Sequence, residues 1–171
     1  MNGTSNTIAF ENVFDSAYKE FIITGHGIRS AGSGDSIALR FGNGATPSYL
    51  TSNYHITQNT AYVDISASSN VNTSGASVNQ TYIAINRGLS IPSSANYDVP
   101  IAFKAIILND LNDSLFYKRV LIDSWGGEDY TYLGYCHQVA MVRDSNVVTG
   151  IQFFTTSSNN FYGTLTLYGV K

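Results

Sequence analysis

Short segments in which apolar and polar residues alternate recur along this chain, and Gly, Ser, Asn, Asp or Pro separates each from the next. Alternation at period 2 is typical of a strand that buries one face, and closely spaced strands of this kind favour an all-β sandwich. In the closing segment TGIQFFTTSSNNFYGTLTLYGVK, two such strands flank a Ser/Asn turn, and Ile151, Phe153, Leu165 and Leu167 are expected to point inward. Because the chain stops directly after the second strand, we expect that strand to lie inside a sheet and to complete the domain.

The same pattern predicts ten strands, of which we expect one or two to be surplus. They fall at 7–14, 18–24, 36–41, 60–66, 79–86, 100–108, 116–123, 131–142, 148–155 and 163–170. In the third strand, Ile37, Leu39 and Phe41 alternate with Ser, Ala and Arg and are expected to face the core.

Helix content is expected to be very low, because no window keeps apolar residues at i, i+3, i+4 and i+7 without an interruption. The segment 109–115 is predicted to be one helical turn or a loop. Long loops are expected at 30–35, 41–48 and 66–79, and the last of these, which is nearly all small and polar, should be the most mobile.

Length and composition indicate one domain without covalent staples. A chain of 171 residues can bury enough surface to fold without a metal or a disulfide. The single cysteine, Cys136, lies in the apolar alternating run YLGYCHQVAM and is expected to be a buried, inert thiol.

Charge and hydropathy argue against two classes of partner. Only 12% of the residues are charged, the net charge is -3, and the few Lys and Arg are scattered, so nucleic acid is not expected as a partner. The N-terminus lacks a basic and an apolar signal region, and no apolar run approaches 18 residues. We therefore expect a protein made in the cytoplasm, without a signal peptide and without membrane insertion.

The sequence carries no recognisable catalytic or metal-binding motif. His26, His55 and His137 have no second ligand at a suitable spacing, so no zinc site is predicted. The adjacent carboxylates Glu128 and Asp129 would point to opposite faces of a strand, which disfavours a paired acid and base. We expect no enzymatic activity, no metal and no cofactor.

Aromatic residues in or beside loops are the remaining candidates for contact with a ligand or partner. They are Tyr49, Tyr54, Trp125, Tyr130 and Tyr132. Exposed aromatic rings with Asn and Asp nearby are suited to stacking on sugars or to anchoring a protein interface. The alternative is that these rings are hydrophobic plugs that cap the ends of the sandwich.

Both ends of the chain show a resemblance to a known class of protein. The opening IAFENVFDSAYKEFIITGHGIRSAGSGDSIALRFGNG, the Tyr-containing loop that follows it and the closing 23 residues resemble the small jelly-roll structural proteins of tailed-bacteriophage virions, of the head-decoration or tail-fibre-tip type. This resemblance implies an antiparallel two-sheet jelly-roll sandwich of eight strands, often trimeric, with no catalytic residue to transfer. The resemblance also implies a single jelly-roll domain over 1–171, with a short flexible N-terminal arm at 1–6.

The function implied is that of a non-enzymatic virion component. It would bind other virion proteins, such as the major capsid or tail proteins, as a homotrimer, and project outward as a decoration, cement or tail-associated protein. Because the chain begins almost directly on its first strand, we expect a separately encoded piece. Two alternatives remain: a receptor- or carbohydrate-binding module at a fibre tip that recognises a host-surface glycan through Trp125, Tyr130 and Tyr132, and a small glycan hydrolase.

Overall fold

A computed structural model describes six stretches of the chain. They are residues 5–32, 35–64, 69–86, 100–108, 117–127 and 132–171, without the side chains of Asp64 and Tyr132. The segment 109–115, for which we expected a helical turn or a loop, lies outside these stretches. Glu128, Asp129 and Tyr130 lie outside them as well.

The described residues form strands and connecting turns, without a helix. The strands are β1 (Thr7–Glu11), β2 (Glu20–Ser30), β3 (Ile37–Asn43), β4 (Ser48–Tyr49), β5 (Tyr54–Asp64), β6 (Ser69–Gln80), β7 (Ile83–Ala84), β8 (Ile101–Leu108), β9 (Lys118–Gly126), β10 (Tyr132–Val142), β11 (Val148–Thr155) and β12 (Phe161–Val170). The all-β prediction is confirmed.

These strands build two antiparallel sheets. The five-stranded sheet has the order β1-β11-β3-β4, with β7 also paired to β3, and the seven-stranded sheet has the order β12-β2-β8-β9-β10-β5-β6. The chain crosses between the sheets repeatedly, since β1, β3, β7 and β11 lie in one and β2, β8 and β12 in the other. Two hairpin-like insertions, β5-β6 and β9-β10, widen the seven-stranded sheet.

The core lies between the inner faces of the two sheets, as the alternation predicts. Ile37, Leu39 and Phe41 of β3 are fully buried, and so are Ile151 and Phe153 of β11. Their burial confirms the period-2 pattern in both strands. In β12, the two leucines expected to face inward are only half-buried, although they pack against the core.

One aromatic contact joins the two sheets at the centre of this core. The Phe103 ring of β8 stacks on the Phe153 ring of β11, with 5.8 Å between ring centroids. Phe103 pairs directly with Gly25 of β2, and a Cβ at position 25 would lie within the Phe103 ring. The missing side chain at Gly25 therefore makes room for the Phe103 ring.

Cys136 is buried, as the apolar run around it predicts. Its sulfur lies 3.2 Å from the Thr60 hydroxyl of the neighbouring strand β5. A buried thiol held by a neighbour in this way behaves as a small core residue.

Strand β6 replaces the long loop that was predicted over 66–79. Residues 69–80 are almost all small and polar, and most of their side chains are exposed on both faces of the strand. Backbone pairing with β5 alone holds them in the sheet, with a register that runs from Asp64↔Ser69 to Tyr54↔Gln80. The strand was missed because alternation cannot reveal a strand that buries neither face.

The position of the last strand also differs from the expectation. β12 pairs with β2 and forms one edge of the seven-stranded sheet, so it does not lie inside a sheet. Its partner in the closing segment, β11, belongs to the other sheet. The Ser/Asn turn between them is thus a connection from one sheet to the other. Residues 5 and 6, expected in a flexible arm, are hydrogen-bonded to this region of the chain.

A buried carboxylate anchors that connection. Asp35, 2% exposed, accepts hydrogen bonds from the hydroxyls of Ser30, Thr156 and Ser157 and from the backbone N–H of Ser157. Burial by itself would raise the pKa of Asp35, but these hydrogen bonds outweigh it and hold the pKa below its ordinary value. The ionised carboxylate therefore links the end of β2 to the turn between β11 and β12.

We expect Asp35→Asn to lower the free energy of unfolding by about 2 kcal/mol near neutral pH, because the buried donors lose a charged acceptor. A carboxylate whose pKa is depressed by folding stabilises the protein above its unfolded pKa of about 3.9, and this contribution is lost as the pH falls through the folded value. The difference between wild type and variant should therefore shrink as the pH is lowered from 6 to 2. Urea unfolding at several pH values measures it.

The exposed Asp15, whose carboxylate accepts a hydrogen bond only within its own turn, provides the control Asp15→Asn. A difference between wild type and Asp35→Asn that stays constant down to pH 2 would contradict the role given to the ionised carboxylate.

Candidate functional site

Most of the exposed large apolar side chains gather on one surface. Ten such residues occur in the described part of the chain, and seven of them lie on the outer face of the seven-stranded sheet. These seven are Val63, Val78, Trp125, Leu133, Tyr135, Val139 and Tyr168. We call this surface the apolar face. Exposed large apolar side chains gathered on one face in this number usually mark an interaction site.

The strand register extends the apolar face into a continuous row. Tyr168 pairs with Ile22, Ile22 with Ile106, Ile106 with Leu121, and Leu121 with Val139. Directly paired residues on one face of a sheet have Cβ atoms about 5 Å apart, so these five side chains are neighbours. The row crosses strands β12, β2, β8, β9 and β10.

A second row forms an aromatic platform. Trp125 of β9 pairs with Tyr135 of β10, and each side chain is 45% exposed. The residues next in register are Ala102 on β8 and Ala61 on β5. Because both flanking residues are small, the two aromatic rings have open space on either side.

A polar row separates the aromatic platform from the apolar row. It contains Lys104, Asp123, His137 and Asn59, each paired with the next. Asp123 Oδ1 lies 2.7 Å from His137 Nδ1 and accepts a 3.1 Å hydrogen bond from the Tyr135 hydroxyl. Because an ionised carboxylate only accepts, Nδ1 of His137 carries the proton in this contact.

Asp123 thereby fixes the orientation of two side chains. The pKa of Tyr135 is raised, first by partial desolvation and then by its hydrogen bond to Asp123. His137 makes no hydrogen bond to a hydroxyl or thiol in the part of the chain that the structure describes.

A shallow groove of about 240 Å³ lies beside the apolar row, where β5, β6 and β10 meet. Its lining includes His55, Thr57, Val78, Val139 and Met141. His55 Nε2 is buried there and has no hydrogen-bond partner in the described part of the chain. The groove has the size and character to accept an apolar side chain from a partner, and the imidazole nitrogen adds one polar contact.

The structure distributes the five aromatic residues singled out from the sequence over different places. Trp125 lies on the apolar face. Tyr132 begins β10, next to Leu133 of that face, but its side chain is not described. Tyr130 lies outside the described residues. Tyr49 belongs to β4 of the five-stranded sheet, and Tyr54 begins β5 of the seven-stranded sheet.

Tyr49 and Tyr54 have structural contacts. Tyr54 is fully buried, and its hydroxyl accepts a 2.8 Å hydrogen bond from the backbone N–H of Phe41. Burial raises its pKa. This burial removes Tyr54 from the set of exposed contacts. The half-buried Tyr49 donates a 2.7 Å hydrogen bond to Glu11, and desolvation followed by that carboxylate raises its pKa.

Sequence reasoning missed most of the apolar face, although the signal was present. The alternation in YLGYCHQVAM places Cys136 inside, and the same alternation places Leu133, Tyr135, His137 and Val139 outside. The search for exposed aromatic residues concentrated on loops and passed over a strand whose outer face is itself apolar.

The described residues contain no group of three or more His, Cys, Asp or Glu side chains that could hold a metal ion. In the same residues, no helix has the length and hydropathy needed to cross a membrane. Comparison with known proteins gives no family, since neither a protein-family model nor a curated protein matches the chain.

The buried Tyr54 and the exposed Tyr135 should respond differently to loss of the hydroxyl. We expect Tyr54→Phe to lower the free energy of unfolding by about 2 kcal/mol, because the buried N–H of Phe41 loses its acceptor. Tyr135→Phe should change it by less than about 0.5 kcal/mol, because water replaces the exposed hydroxyl. Urea unfolding of both variants tests this expectation, and equal effects would contradict the assignment of Tyr54 to the core.

Proposed function

We propose that this protein is a non-enzymatic jelly-roll component of a tailed-phage virion, and that its apolar face mediates assembly as a homotrimer. Other virion proteins, of the capsid or of the tail, are its further partners. The observation that carries the binding role is the concentration of seven of the ten exposed large apolar side chains on one sheet face.

The strand order supports the jelly-roll assignment. If the insertions and the short β4 are set aside, the sheets reduce to β1-β11-β3-β7 and β12-β2-β8. Four of the five neighbouring pairs come from opposite halves of the chain, as when β1 pairs β11 and β2 pairs β12, and the exception is β3 with β7. A jelly roll has this property because its long hairpin wraps around the sandwich.

The size of the apolar face suits a stable interface. Seven strands at the usual spacing and four side-chain rows span roughly 29 Å by 26 Å, or about 750 Å². Specific interfaces bury about 800 Å² on each partner. A threefold arrangement that turns this face toward the axis would cover the exposed apolar side chains and leave the five-stranded sheet outward.

The assignment to a virion depends on the resemblance of the two ends of the chain. Those ends, 8–44 and 149–171, contribute β1 and β11, which pair with each other, and β2 and β12, which also pair. The segments that carry the resemblance are thus joined in the sandwich. The low content of charged residues, 12%, is compatible with a surface that is largely covered in an assembly.

Charge placed on the apolar face should prevent trimerisation. We expect the wild-type protein to sediment as a trimer at micromolar concentration and the double variant Leu133→Asp/Val139→Asp to sediment as a monomer. The control Val13→Asp/Val147→Asp changes two valines that are 42% and 40% exposed but lie off this face, and it should remain a trimer. Sedimentation velocity measures all three proteins.

A monomeric wild-type protein, or equal behaviour of the two double variants, would contradict this role of the apolar face. Cryo-electron microscopy of virions that carry the protein tests the placement. Density repeated over capsomers would support decoration, density at the tail would support a tail component, and its absence from the particle would overturn the virion assignment.

The aromatic platform favours a second function, carbohydrate binding. Trp125 and Tyr135 present ring faces for stacking, and the adjacent Asp123 and Asn59 offer hydrogen-bonding groups to sugar hydroxyls. We expect a bound glycan to quench or shift the fluorescence of Trp125, the single tryptophan of the chain. Titration with host-surface polysaccharide measures the effect, and the Tyr135→Ala variant should weaken it. A trimer whose Trp125 emission does not respond would contradict this second function and leave the first one standing.

A further inference from the structure

A fixed arginine lies on the outer face of the five-stranded sheet, away from the apolar face. The guanidinium carbon of Arg40 lies 4.3 Å from the centroid of the Phe154 ring and 5.9 Å from that of Tyr82. The two rings meet edge to face at 5.6 Å and an interplanar angle of 88°. We call these three residues the Arg40 notch. Two aromatic rings and a strand thus restrain a side chain that would otherwise sample many rotamers.

The hydrogen-bond donors of Arg40 are largely unused. Its Nε donates a 3.1 Å hydrogen bond to the backbone carbonyl of Thr81. A guanidinium has five N–H donors, and the others have no acceptor among the described residues. No carboxylate of the described residues lies within ion-pair distance of Arg40. Among the described residues, the N–H groups of the two terminal nitrogens are therefore unpaired, and they form an oriented pair of donors, which we call the fork.

Such a fork matches the two oxygens of a carboxylate. Paired N–H···O⁻ bonds from arginine to a carboxylate are among the strongest hydrogen bonds in proteins, and they require the planar geometry that the notch imposes. Because the side chain is already ordered, binding costs less conformational entropy than binding to a free arginine. A cation–π contact with Phe154 alone would need only a positive charge above the ring, and it would not require the paired N–H groups of a guanidinium.

A small cavity adjoins the notch and limits what the carboxylate can belong to. It has a volume of about 200 Å³ and is lined by Ile56, Gln80, Tyr82 and Ala84, so the Tyr82 ring is common to both. Gln80 donates through Nε2 to the carbonyl of Val78, which leaves its amide oxygen available as an acceptor. A pocket below the usual 300 Å³ for drug-sized ligands has room for one ring at most.

Two amide side chains near Arg40 can bind hydroxyls, Gln80 in the lining of the cavity and Gln152 beside Arg40 on the sheet. Gln152 pairs with Arg40 across β11 and β3, and it is half-buried on the same outer face. Its amide and that of Gln80 can donate to and accept from hydroxyls, while Tyr82 offers a ring edge. We propose that the Arg40 notch and its cavity bind one acidic sugar unit, a uronic acid, with its carboxylate on Arg40. This site is distinct from the apolar face and does not depend on the trimer.

Titration of the full-length protein with glucuronate, followed by amide NMR shifts, tests this proposal. We expect saturable shifts that centre on Tyr82 and Phe154, no response to glucose, and at least tenfold weaker binding by Arg40→Lys, which keeps the charge but loses the fork. Arg143→Lys is the matched control, because Arg143 also lies over an aromatic ring, that of Tyr117 at 5.6 Å, but does not adjoin the cavity beside Tyr82. It should bind as the wild type does.

Thermal unfolding of each variant separates loss of binding from loss of fold, and Arg40→Lys keeps a positive charge beside the Phe154 ring, which favours folding. The proposal is overturned if glucuronate gives no saturable shift, if Arg40→Lys binds as tightly as wild type, or if the shifts centre on Trp125. Acetate or a glutamate-containing peptide binding as tightly as glucuronate would overturn the sugar assignment, because the hydroxyl-binding groups would then contribute nothing.

Discussion

The packing of Phe103 between the two sheets is the contact on which the rest of this sandwich depends. Its ring fills the space left by Gly25 on the neighbouring strand and stacks on Phe153 of the opposite sheet. Around this contact the inner faces of β2, β3, β8, β9 and β11 are buried, and their alternation leaves the remaining side chains outside. Once the inner faces are fixed, the register of each strand determines which residues meet on the outer faces. Both candidate surfaces are consequences of that register.

The part of the fold that depends on burying one face could be predicted from the sequence. β11 was predicted with its observed bounds of 148–155, because its apolar residues Ile151 and Phe153 recur at period 2, and both are buried. β6 could not be predicted, because Ser, Asn, Thr and Gly carry no apolar signal and the strand is held by backbone pairing with β5. The placement of β11 and β12 in different sheets could not be predicted either. Alternation shows which residues of a strand share a face, but it does not show which strands pair with it.

The candidate site was predicted only at Trp125. Its partner Tyr135 lies ten residues further along the chain, and only the pairing of β9 with β10 brings the two rings together. Tyr54 shows the opposite error: its predicted place in or beside a loop suggested exposure, whereas its hydroxyl accepts a hydrogen bond from a buried backbone N–H of β3. An aromatic ring belongs to the core if the opposite sheet covers it, and it is available to a ligand or partner if not. Local sequence does not contain this information. Arg40 gave no sequence signal for the same reason, since Phe154 and Tyr82 reach it from two other parts of the chain.

Strand β6 has a consequence for the protein at high concentration. It forms an outer edge of the seven-stranded sheet, runs for twelve residues and contains neither a charged residue nor a proline. Edge strands usually carry such residues, because unpaired backbone N–H and C=O groups otherwise template the addition of further strands. We therefore expect the protein to associate edge to edge through β6 at high concentration. A neighbouring subunit that pairs with β6 would prevent this association.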